Sequence, residues 1–165
     1  MTKRLTRMGL LTALALIIFT IEAQIPPPVP IPGVKLGLAN IITVYAMFCL
    51  GPRDTLWILL CRIFLGSVFA GNMMTIFYSL SGGILCYLVM LVMRRLVTEK
   101  QIWVCSVLGA IAHNIGQILA AICIARTAQL IVYLPVLLIS GMAAGLFTGL
   151  CAQAAIKRLN RIGKS

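Results

Sequence analysis

The sequence predicts an all-α integral membrane protein, a single transmembrane domain over residues 1–165 built from six transmembrane helices. Three observations carry this expectation. Hydrophobic residues are 61% of the chain and charged residues 10%, against roughly 45–50% and 25% in soluble domains. Apolar stretches close to the about 20 residues that cross a bilayer recur along the chain. Of the 14 Lys and Arg, set against 3 acids, all but Arg62 sit at the ends of those stretches. Cations placed there act as topology signals, which sets nucleic acid aside as a partner.

Helix 1 is expected over residues 5–23, after a basic start. That start imitates a signal peptide, but Ile21-Glu22-Ala23 is a poor small-x-small cleavage site, and more apolar helices follow. The reading is a retained first helix. The stretch QIPPPVPIPGVKLGLAN then interrupts the apolar run. Pro26, Pro27, Pro28, Pro30 and Pro32 fix φ and remove five backbone donors, so neither a helix nor a central strand forms. A non-helical segment between membrane helices lies outside the lipid or lines a cavity. Residues 24–35 therefore read as an external loop, either folded over a cavity mouth or serving as a stiff linker.

Helix 2 is expected over residues 36–50, where Gly51-Pro52 ends it. Helix 3 opens with Asp54 in its first turn, where a carboxylate suits the helix N-terminus, and reaches residue 70. Helix 4 covers 74–97. The polar patch Thr98-Glu99-Lys100-Gln101 separates it from helix 5, 102–125. A short turn from Arg126 leads to helix 6, 130–159, which Pro135 is expected to kink.

Charge placement orients this chain in a multi-pass plasma-membrane topology. Six helices put Lys3, Arg4, Arg7, Arg53, Arg94, Arg95, Lys100, Lys157, Arg158, Arg161 and Lys164 on one side. Only Lys35 and Arg126 fall on the other, and Arg62 falls mid-span. That asymmetry places both termini in the cytoplasm and the proline loop outside.

Three helices carry further signals. Gly141, Gly145 and Gly149 repeat every fourth residue in helix 6, a spacing that lets helix backbones approach closely. Helix 1 has a shorter version, Gly9 and Ala13. In helix 5, His113 and Gln117 share one face with Asn114 beside them. Three strong hydrogen-bonding side chains there face the bundle interior or water, as an interhelical cluster or as a ligand site. Arg62 needs a partner or a wet cavity. It either pairs with Glu22 or receives an anionic ligand.

Chemistry of other kinds finds little support. The six cysteines are scattered singly, with no Cys-x-x-Cys and no neighbouring His, so neither a metal site nor a disulfide framework is expected. No carboxylate pair, nucleophile with a base, or phosphate loop is present. The chain reads as a non-enzyme without a cofactor.

The segment Pro32 to Asn40, the size and the six-helix count resemble the substrate-binding S-components of energy-coupling-factor transporters. The runs KLGLANI, Arg62-Ile-Phe-Leu-Gly66 and His113-Asn114-Ile-Gly116-Gln117 resemble the family called Gx transporter or heptaprenyl diphosphate synthase component I. The S-component resemblance implies an S-component-like bundle with a cavity near the outer face. It also implies partners: a coupling membrane protein and ATPases, docked through Gly9 and Ala13. The expected function is a substrate-binding subunit of an uptake transporter; the alternative is a non-catalytic membrane component of polyprenyl diphosphate synthesis. A structural partner of a membrane complex is a third class. The expected cavity groups are Lys35, Asn40, Arg62, Asn72, His113, Asn114 and Gln117. Their surplus of positive charge suits a small amphipathic anion, a vitamin or an isoprenoid precursor.

Overall fold

A computed structural model describes residues 2–25, 37–71 and 73–162. The expectations for the proline loop, Lys35 and Asn72 lie outside the described residues. The described chain is all-α, with helices α1 (Thr2–Glu22), α2 (Asn40–Cys49), α3 (Pro52–Phe69), α4 (Met74–Met93), α5 (Ile102–Ala125) and α6 (Leu134–Ile162). Short 3-10 turns, Glu99–Gln101 and Ala128–Tyr133, precede α5 and α6.

Among the described residues, four helical stretches are long and apolar enough to cross a membrane: Thr2–Glu22, Met74–Met93, Glu99–Ala125 and Ala128–Arg161. The other two helices differ. At ten residues, α2 rises only about 15 Å, half the hydrocarbon thickness. It starts at Asn40, later than expected, because residues 37–39 form a turn closed by the Asn40 N–H on the Gly37 carbonyl. α3 carries Arg53, Asp54 and Arg62, which dilute its apolar character.

Two expected helix features change. α4 ends at Met93 rather than at residue 97, and Arg94, Arg95 and Leu96 close it in tight turns. Pro135 does not kink α6. It is the second residue of that helix, where a missing N–H breaks no intrahelical bond.

α5 is the central helix. It packs along α4 on one side and α6 on the other. The 3-10 turn that leads into it opens with a capping box between Thr98 and Gln101, and Arg126 in the left-handed conformation ends α5. The α5–α6 seam is close because α6 presents glycine there. A Cβ on Gly145 would lie 2.8 Å from the Ala110 Cβ, and one on Gly149 2.7 Å from the Trp103 Cα. A second close seam joins α5 to α4, where a Cβ on Gly116 would stand 2.8 Å from the Gly82 Cα.

Apolar clusters fill both ends of the bundle. Val44, Met47, Met90, Ile102 and Ile156 pack at one end, and Tyr78, Ile118 and Leu137 at the other. Peripheral α1 packs chiefly on α3 and α2, through Leu11, Ala15, Ile42 and Ile58 and through Phe19 against Gly66. Buried polar side chains occupy the middle.

Candidate functional site

Four helices and one turn deliver the polar centre. α5 supplies His113 and Gln117, four residues apart on one face and 4% and 1% exposed. α3 supplies Arg62 and α2 supplies its first residue, Asn40, both buried. α1 ends at Glu22, also buried. Gly37, in the turn before α2, locks these parts together. Its φ of 83° is left-handed, a conformation that glycine adopts without strain. A Cβ there would stand 2.9 Å from the Asn40 Nδ2 and 3.3 Å from the His113 Cδ2. The chain therefore crosses directly over His113.

Glu22 accepts a hydrogen bond from the Gly37 N–H at 2.5 Å and a longer one from the Ala39 N–H at 3.5 Å. Arg62 interacts electrostatically with Glu22 and with His113, so the three charged or polar groups share one neighbourhood. Arg62 and Glu22 do not form an ion pair. Among the described residues the ion pair is Arg4 with Asp54. On the far side of His113, Gly82 of α4 lets the ring and Gln117 approach; a Cβ there would lie 2.9 Å from the His113 Nδ1 and 2.9 Å from the Gln117 Cγ.

The centre is short of partners. Both side-chain polar atoms of Asn40, the Nε and Nη2 of Arg62, the Nδ1 of His113 and the Oε1 of Gln117 are buried without a hydrogen bond. Each such neutral group costs about 1–3 kcal/mol, and a buried charge costs more. Unmet donors and acceptors around one guanidinium make a centre suited to an anion with further hydrogen-bonding groups. Carboxylates for metal chemistry do not gather here. Glu22 holds a turn, Asp54 holds Arg4, and Glu99 sits exposed in a 3-10 turn. Among the described residues no group of His, Cys, Asp and Glu is placed to hold a metal, and all six cysteines are free.

Asn114 belongs to a different face. Its Nδ2 donates to the Leu137 carbonyl of α6 at 2.5 Å and lies where a Gly141 Cβ would be. One residue along a helix is a rotation of about 100°, which turns Asn114 away from His113 and into the α5–α6 seam. Gly9 and Ala13 lie on the exposed face of α1, and nothing stands within 4 Å of where a Gly9 Cβ would be. The Arg4–Asp54 pair and the capping role of Glu22 were not foreseen. The topology expected from charge placement puts Arg4 and Asp54 on one side, and this is the available signal for their pairing.

The fold and site together define an all-α, membrane-type helical bundle, four of whose described helical stretches are long and apolar enough to cross a membrane, around a buried, cationic polar centre. The chain belongs to the family described as heptaprenyl diphosphate synthase component I, whose model matches residues 11–155. No curated protein and no solved structure matches it.

Proposed function

We propose that this chain is a non-catalytic membrane component of polyprenyl diphosphate synthesis that binds a small amphipathic anion inside its helical bundle. The family description names a component of a synthase, and a component implies partner subunits that supply the chemistry. The observation that carries the reading is Arg62, 5% exposed with two nitrogens unpartnered. A buried arginine in a membrane bundle requires a negative partner, and Glu22 is engaged by backbone amides. A diphosphate or carboxylate head would meet Arg62, Asn40, His113 and Gln117, and an apolar tail would suit the surrounding bundle. The topology that accompanies this reading is multi-pass in the plasma membrane, with both termini cytoplasmic and residues 24–35 outside.

A second reading is supported by α1. Its face around Gly9 and Ala13 is open, as a docking helix requires. On that reading the chain is the substrate-binding subunit of an uptake transporter, partnered by a coupling membrane protein and ATPases.

Native mass spectrometry of the purified protein tests the shared core of both readings by identifying a co-purified anion. Its affinity is then compared in wild type, Arg62→Gln and His113→Ala. A neutral ligand, or an anion whose binding ignores Arg62→Gln in a folded protein, counts against the proposal. Recovery of a soluble synthase subunit with the detergent-extracted protein favours the first reading, and recovery of ATPases favours the second.

A further inference from the structure

The turn into α2 presents two backbone N–H groups, those of Gly37 and Ala39, to one point. Arg62 brings a positive charge to the same neighbourhood, with its Nε and Nη2 bonded to nothing. Backbone amides with a guanidinium are the donor set that holds phosphate and carboxylate groups. What fills that point is a group of the chain itself, the Glu22 carboxylate, each oxygen taking one amide. Glu22 occupies the amides but leaves the buried nitrogens of Arg62 unmet. A tetrahedral phosphate has oxygens pointing in several directions. It can engage amides and guanidinium together, which one planar carboxylate at a helix end does not.

We infer that Gly37, Ala39 and Arg62 form the subsite for a phosphate-type head group, and that Glu22 is its built-in occupant, displaced when the ligand enters. The inference rests on the proposed anion-binding function and adds the regulation of that site: Glu22 sets the affinity by competing for the same donors. α1 is suited to the exchange. It is peripheral, packs chiefly on α3 and α2, and is pinned at its opposite end by the Arg4–Asp54 pair. The residues after Phe19, which packs on Gly66, can shift while the rest stays in place.

Isothermal titration of the full-length protein in detergent tests the inference, with geranyl diphosphate as probe and geraniol as neutral control. Glu22→Gln keeps an acceptor oxygen for the Gly37 N–H and removes the charge. It is expected to bind geranyl diphosphate at least tenfold more tightly, with geraniol unchanged. Arg62→Gln is expected to lose tenfold or more. Glu22→Asp, which withdraws the carboxylate by one methylene, is expected to gain affinity as well, and it serves as the test should Glu22→Gln fail to fold. Phosphatidic acid in the same micelles is the second probe. The larger gain on Glu22→Gln, on whichever probe, names the source of the phosphate. If Arg62→Gln weakens binding but neither Glu22 variant improves it, Glu22 is a structural cap and the inference falls while the function stands. If folded wild type and variants all ignore both phosphate probes, the anion-binding reading falls with it.

Discussion

Arg4, on the first turn of α1, grips Asp54, in the first turn of α3, with two hydrogen bonds, one from Nε at 2.8 Å and one from Nη2. Asp54 is buried and Arg4 is largely exposed. The fork of a guanidinium matches the two carboxylate oxygens, so the pair sets the relative position of two parallel helices at one end. Phe19 packed on Gly66 holds them at the other.

The pair is directly testable. Asp54→Asn and Arg4→Gln should each lower the melting temperature in detergent, and the double variant should be little worse than Asp54→Asn. The swap of Arg4→Asp with Asp54→Arg should recover part of the loss. Additive losses in the double-mutant cycle would show that the two side chains act independently.

The α5–α6 seam predicts a steric result. Gly145→Leu places a side chain where even a Cβ meets Ala110 at 2.8 Å and the Val107 Cα at 3.0 Å. Overpacking of this kind costs about 1–3 kcal/mol. The expected readout is a lower melting temperature, with Gly9→Leu as the contrasting variant, because nothing lies near Gly9. Equal melting of the two variants would refute the seam.

Gly37 gives a prediction about the site rather than the fold. Gly37→Ala forces a side chain into a left-handed φ of 83°, which costs roughly 1–2 kcal/mol for an L-residue. The new methyl also presses on Asn40 and His113. Geranyl diphosphate affinity should fall several-fold while helix content by circular dichroism stays the same. Unchanged affinity would place ligand contact away from this turn.

Topology is checked by accessibility. In a background without native cysteines, Val29→Cys should react with an impermeant thiol reagent in intact cells and Ser165→Cys should not. The reverse pattern would invert the orientation drawn from the basic residues.

Much of the architecture was legible in the sequence because membrane helices announce themselves locally. Apolar length, flanking cations, and Gly or Pro at the breaks all act within one or two turns of the residue concerned. The expected bounds of helix 5, 102–125, are those of α5, which has sharp polar signals at both ends. Helix 2 was less legible. KLGLAN is apolar enough to read as helix, but the chain makes a turn there to bring Gly37 and Ala39 to Glu22.

The sequence by itself determined the all-α, membrane-type class, the six α-helices, and the polar residues that need a buried setting, Arg62 and His113 foremost. Those follow from composition, periodicity and the cost of burying charge. Only the tertiary structure decided which groups meet. It sent Asn114 to Leu137 and away from His113, gave Asp54 to Arg4, and set Glu22 on two backbone amides beside an Arg62 with unmet donors. The physical reason is reach. Helix formation is governed by neighbours in the chain, whereas these pairings join residues 15 to 50 positions apart and depend on how glycine seams let whole helices rotate and approach.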